Sequence, residues 1–101
     1  MNERTTLADL VAAGRLTEKD VETWSRVADR LAALTLIARE GATVVVKADG
    51  ERAGFALFTV VVSGGRLGDD FFRRDASDLD GLLDAAIRFY CDRVWSHPRP
   101  G

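Results

Sequence analysis

Apolar positions repeat with a helical period, then with a period of two, then helically again, and these changes predict the elements of the chain. Leu7, Leu10 and Val11 fall at i, i+3 and i+4 and predict a short first helix, capped by Thr5 or Thr6 and stopped at Gly14. Thr17 predicts the start of a second helix: its hydroxyl can accept from the N–H three residues on, and Glu18 and Asp20 suit the positive helix end. Val21, Trp24, Ala28, Leu31 and Thr35 form one stripe of that helix. Leu34, Leu36 and Ile37 leave the stripe, which predicts that the helix stops near Leu34 and that "TLIAREGATVVVKADG" is a hairpin turning at Glu40 and Gly41.

"TVVVKA" predicts a strand, and Asp49-Gly50 a turn after it. "GFALFTVVV", Gly54 to Val62, predicts the next strand, with Phe55, Leu57 and Val61 on one face and Ala56, Phe58, Val60 and Val62 on the other. "SGG" is a turn and "RLGDDFFRRD" a further strand. No connection is long enough for a parallel crossover, so the strands form an antiparallel meander. Ser77 predicts the cap of a last helix, with Asp80 in capping-box position. Leu79, Leu82, Leu83, Ala86, Ile87, Tyr90 and Val94 share one face of it. The expected architecture is one α+β domain over residues 1–101: two N-terminal helices, a four-stranded antiparallel sheet and a C-terminal amphipathic helix on one sheet face. Residues 1–4 and the proline-bearing tail 96–101 are expected to fray.

Composition narrows the function classes. The chain has 101 residues, 47% hydrophobic and 30% charged, as in ordinary globular domains. A net charge of −2 argues against a dedicated nucleic-acid binder, which shows a basic excess. Cys91 is the only cysteine, so no intrachain disulfide forms, which fits a reducing compartment. "MNERTTLADL" lacks the apolar run of a signal peptide, and no segment approaches the ~20 apolar residues of a membrane span. A cytoplasmic protein is expected.

The stretch from Asp69 to Asp84 holds six Asp and two Arg, a local charge of −4 against −2 for the whole chain. As a calcium loop it fails: with Gly81 in the sixth position, Ala76 stands where the first ligand belongs and Ile87 where the bidentate carboxylate belongs. A catalytic acid pair fails too, because Asp69 and Asp70 are adjacent and point to opposite faces of a strand. His97, the only histidine, lies in the tail, where no base is held in place, and Cys91 reads as a half-buried structural thiol. Double-stranded-RNA-binding domains share the α-β-β-β-α order but carry basic residues at the start of the last helix, where this chain has Asp78, Asp80 and Asp84. Neither an enzyme nor a cofactor, metal or nucleic-acid site is expected.

What remains is a solvated acidic face or a surface for a partner. Asp69, Asp70, Asp75, Asp78, Asp80 and Asp84 are the candidate acidic contacts, with Phe71 or Phe72 as the apolar anchor. Phe89 and Trp95 lie off the centre of the last helix's stripe, either as flank packing or as a second candidate interface. Two alternatives stay open. One is a structural homodimer through the open sheet face or the Phe89 and Trp95 flank. The other is a small-ligand pocket between sheet and helix, lined by Tyr90 or Trp24.

The run from Trp24 to about Tyr90, with "GFALFTVVVSGG", an acidic strand and "SDLDGLLDAAIRFY", resembles small bacterial immunity proteins of polymorphic toxin systems, of the TriTu type. The strands followed by an amphipathic helix also resemble the HicB-type antitoxin fold. Either resemblance implies stoichiometric neutralisation of a toxin. A basic nuclease would be steered by the acidic residues and held by Phe71 or Phe72.

Overall fold

The computed structural model describes residues 6–51 and 56–96. Helix α1, Leu7–Ala12, starts at Thr6 with a reciprocal capping box to Asp9 and stops before Gly14, as expected. Helix α2, Glu18–Arg39, starts at Thr17, whose hydroxyl accepts from the Asp20 N–H at 3.1 Å while the Asp20 carboxylate takes the Thr17 N–H at 2.9 Å.

The second helix does not stop near Leu34. Five more residues continue it, and the segment expected as the first of four strands is its last turns. Val27, Leu34 and Ile37 are the residues it buries, a stripe that runs through the supposed break. The β-branched Thr35 sits in the helix with its hydroxyl on the Leu31 carbonyl at 2.8 Å. Glu40 caps the end, and Gly41 turns the chain at φ +104°, a conformation open to glycine. Glu40 and Gly41 are thus a helix stop and not a hairpin turn.

Among the described residues the sheet has three strands, not four: β1, Thr43–Ala48; β2, Phe58–Ser63; and β3, Phe71–Ala76. They form the expected antiparallel meander, β1-β2-β3. Val44, Val62 and Phe72 lie side by side in register, as do Val45, Val61 and Arg73. Phe55, expected on one face of the middle strand, lies outside the described residues, as do Thr5, His97 and the tail apart from Ser96.

A 3₁₀ turn, Gly65–Leu67, joins β2 to β3 and packs against the chain leaving α2. Gly65 has φ +55°, and a Cβ there would stand 2.7 Å from the Ala42 nitrogen and the Gly41 carbonyl carbon. Two backbones meet at that point with no room between them.

Helix α3, Leu79–Tyr90, buries Leu79, Leu82, Leu83, Ala86 and Tyr90, the face expected from its period. Its cap differs. Asp78, not Ser77, is the N-cap and makes no side-chain cap bond, and the Asp80 carboxylate pairs with arginines of α2 instead of closing a capping box. A π-helical turn, Cys91–Trp95, follows and closes with the Ser96 N–H on the Cys91 carbonyl at 2.8 Å.

Both α2 and α3 lie on the sheet face carrying Val44, Val60, Val62 and Phe72, with α2 over β1 and α3 over β2 and β3. The core is one cluster between these layers. The opposite face is covered by no helix among the described residues and presents Val45, Val61 and Phe71 among Thr43, Lys47, Ser63 and Arg73.

Candidate partner-contact surface

The acidic stretch does not form one field. Its members go to three places. Asp69, Asp70 and Phe71 stand together where the chain enters β3. Phe71 is 60% exposed, on the uncovered sheet face. Phe72, its neighbour, points to the other face, 6% exposed in the core. Strand alternation separates the pair, so Phe72 is no surface anchor. Asp70 is ion-paired: the Arg93 Nε donates to its Oδ2 at 2.8 Å. Arg93 also lies over the Phe89 ring, 4.7 Å from its centroid.

Asp75 lies at the far end of β3 and accepts a hydrogen bond from the buried Thr59 hydroxyl on the adjacent strand. Asp78 folds over Gly81, where a Cβ would come within 2.6 Å of its Oδ2.

Asp80 and Asp84, on α3, face α2. Arg30 spans both, with Nε 3.3 Å from Asp80 Oδ1 and Nη1 3.0 Å from Asp84 Oδ1. Arg26 adds a 3.7 Å contact to Asp80, and Arg88 a 2.8 Å bond to Asp84. These two carboxylates therefore join two helices rather than present a bare charge. Arg26 and Arg30 lie some fifty residues earlier and Arg88 just past the stretch, so the local count overstated the field.

Phe89 and Trp95 do not form a second exposed aromatic patch. Phe89 is half-buried between Phe72, 5.7 Å between ring centroids, and the Arg93 guanidinium. Trp95 stacks edge-on against Tyr90 at 5.1 Å and donates its Nε1–H to Glu40 at 3.0 Å. At 100° per residue Trp95 falls away from the Tyr90 face. The π turn's wider winding, closed between residues five apart, brings the two rings together.

Glu40 is the polar centre that sequence reasoning missed. Its Oε1 also accepts from the Tyr90 hydroxyl at 2.7 Å, and Arg66 Nη1 stands at 3.4 Å. The end of α2, the 3₁₀ turn, α3 and the π turn meet at this one carboxylate. Hydrogen bonds from Tyr90 and Trp95, then the Arg66 charge, hold the Glu40 carboxyl below its usual range. Burial, then the Glu40 bond, pushes Tyr90 up to about 12, so its hydroxyl stays a donor. Only the end-of-helix position of Glu40 marks it in the sequence.

Tyr90 is fully buried, with its hydroxyl on Glu40. Trp24 lines a cleft of about 200 Å³, bounded also by Asp20, Thr23, Val27, Phe58, Ser77, Asp78 and Leu79. That is smaller than the ~300–1,000 Å³ of typical ligand sites and suits a side chain better than a metabolite. Cys91 is half-buried, with Sγ 3.8 Å from the Ser96 hydroxyl. Among the described residues no group of three or more His, Cys, Asp or Glu is placed to hold a metal ion, and no helix is long and apolar enough to cross a membrane. No family model, curated protein or solved structure matches the chain.

Proposed function

We propose that the chain is a cytoplasmic protein-binding module of the immunity or antitoxin kind. It acts by stoichiometric contact with a basic toxin domain, without turnover and without a cofactor. The observation that carries this reading is Phe71, 60% exposed on a sheet face that no described helix covers, with Asp69 and Asp70 directly before it. A large exposed aromatic beside carboxylates is the arrangement that anchors a partner carrying Lys or Arg. Asp75 extends the contact along the open face, and Asp78 lies beyond the end of the strand. Asp70, Asp80 and Asp84 contribute less than Asp69, since Arg93 offsets the first and arginines of α2 and α3 the other two.

The test is a calorimetric titration of the purified chain with the protein encoded by the neighbouring gene. A one-to-one complex is expected, weakened at least tenfold by Phe71→Ser and by the Asp69→Lys, Asp70→Lys pair, a loss of about 1.4 kcal/mol. Absence of a complex, or a complex indifferent to both changes, sinks the reading.

A further inference from the structure

We propose that two copies of the chain pair along α2, antiparallel about a two-fold axis, through the stripe Val21, Trp24, Ala28, Leu31, Thr35 and Ala38. The residues are spaced 3, 4, 3, 4 and 3, the spacing of a coiled-coil seam. In this fold the stripe is not the core stripe. Trp24 is 41% and Leu31 51% exposed, and Ala28, Thr35 and Ala38 are exposed with them.

No helix or strand among the described residues packs over the stripe; at its N-terminal end Val21 is half-buried and Trp24 borders the cleft with Phe58 and Leu79. The stripe is roughly 100° round the helix from Val27, Leu34 and Ile37, taking 100° per residue. It also faces away from Arg26 and Arg30, which meet α3. Since α3 sits over β2 and β3 and α2 over β1, that side of α2 looks out past the β1 edge of the sheet. Val46, on the helix side of β1, is 44% exposed at the same margin.

A second copy fits this stripe because the stripe complements itself. Antiparallel pairing centred between Ala28 and Leu31 sets Ala28 opposite Leu31 of the second copy, Trp24 opposite Thr35, and Val21 opposite Ala38. Each larger residue then meets a smaller one, as close packing requires. The Thr35 hydroxyl is already bonded to the Leu31 carbonyl, so its methyl is left for the indole. A parallel pair would instead set Trp24 on Trp24 and Ala28 on Ala28, crowding one level and leaving a void at the next.

Charge agrees with the antiparallel register. Glu18 and Arg39 flank the same side of the stripe three heptads apart, and neither has an ion-pair partner among the described residues. The pairing brings Glu18 of each copy to Arg39 of the other. A helix pair lies near the lower end of stable interface size, roughly 1,200 Å² in total, so the dimer is concentration-dependent.

Sedimentation equilibrium of the full chain over a concentration series tests this. The expected mass rises from the 11.0 kDa of one chain towards twice that. Leu31→Glu should hold the chain monomeric with an unchanged far-ultraviolet dichroism spectrum, because the site is exposed in the monomer. Ala28→Leu should weaken the dimer about tenfold by meeting Leu31 of the second copy. The double variant Ala28→Leu, Leu31→Ala restores it, since large and small merely change places. A parent that stays monomeric throughout overturns the proposal, including the case where another protein's helix fills the stripe. So does a dimer indifferent to Leu31→Glu, or one that Ala28→Leu strengthens. Phe71→Ser leaves the mass unchanged, so this result and the toxin titration fail separately.

Discussion

The Tyr90 hydroxyl donates a 2.7 Å hydrogen bond to Glu40 Oε1, joining residues fifty positions apart in the chain. With Trp95 and Arg66 on the same carboxylate, the end of α2 is tied to the C-terminal turn by polar contacts as well as by the core. Tyr90→Phe keeps the ring and its contact with Trp95 and removes only the hydroxyl. The expected cost is about 1 kcal/mol, the usual net worth of one intramolecular hydrogen bond. It should appear as a lower urea midpoint with an unchanged slope. An unchanged midpoint would show the bond to be energetically idle.

The same cluster sets how stability depends on pH. Glu40 has a folded pKa below its usual 4.5, so its contribution is present above that value and is lost as pH falls through 4.5 and below. Asp9 and Asp20 are lowered by their cap hydrogen bonds and act in the same direction. Tyr90 is raised from 10 to about 12, so its contribution is intact below pH 10 and lost between there and about 12. Glu40→Gln should flatten the acid limb of a stability-versus-pH curve, and Tyr90→Phe the alkaline limb. A pair of curves parallel to the parent's would contradict the linkage.

Phe71 and Phe72 should respond oppositely to truncation. Phe72 is in the core against Phe89, so Phe72→Ala is expected to cost roughly 3–5 kcal/mol. Phe71→Ser should change stability by no more than about 0.5 kcal/mol, as surface changes do, while weakening the proposed complex at least tenfold. Thermal melts of the two proteins separate these outcomes. A large loss from Phe71→Ser would mean that the open face is covered in the folded protein.

That contrast was half legible in the sequence. Consecutive phenylalanines on a strand must face opposite ways, but the pattern did not say which one met the helices. Thr17, Gly14 and the apolar face of α3 were read correctly because each signal is local: a cap, a stop, a period. The second half of α2 was misread because the helix carries two apolar stripes. Trp24 and Leu31 mark the exposed one, and Leu34 and Ile37, on the buried one, looked like a departure from it. Flank packing of Trp95 could not be told from an exposed patch, because a π turn changes the winding and leaves no trace in a 100° wheel. The acidic run was visible as composition, but the arginines that offset Asp80 and Asp84 include two on another helix, some fifty residues earlier.

Gly65 should tolerate no side chain. Gly65→Ala forces a Cβ to within 2.7 Å of backbone atoms of Gly41 and Ala42, at a φ of +55° that already disfavours it. Backbone on both sides cannot yield as a flexible side chain would. Conformational strain alone is worth roughly 1–3 kcal/mol, and the collision adds to it. The loss should be larger than that of Gly64→Ala, where a Cβ meets nothing within 4 Å and only the positive φ counts. Chemical denaturation of both variants measures the difference, and equal losses would place the cost in φ alone.

Arg30 clamps two carboxylates at once, and that geometry decides what replacing it does. Its guanidinium fork reaches Asp80 and Asp84 together, which the single ammonium of lysine cannot do in the same way. The side chains are only partly buried, 35% exposed for Arg30 and 21% for Asp80, so Arg30→Gln should cost no more than about 1 kcal/mol. The loss should shrink in 1 M salt, where the screening length is about 3 Å. The same substitution leaves Asp80 with Arg26 and Asp84 with Arg88, and so exposes more net negative charge on α3. If a basic partner is steered by this side of the molecule, Arg30→Gln should speed association at low salt while leaving dissociation unchanged. Stopped-flow association at two ionic strengths reads this directly. An association rate unmoved by the substitution confines the contact to Asp69, Asp70 and Phe71, at the opposite end of the acidic stretch.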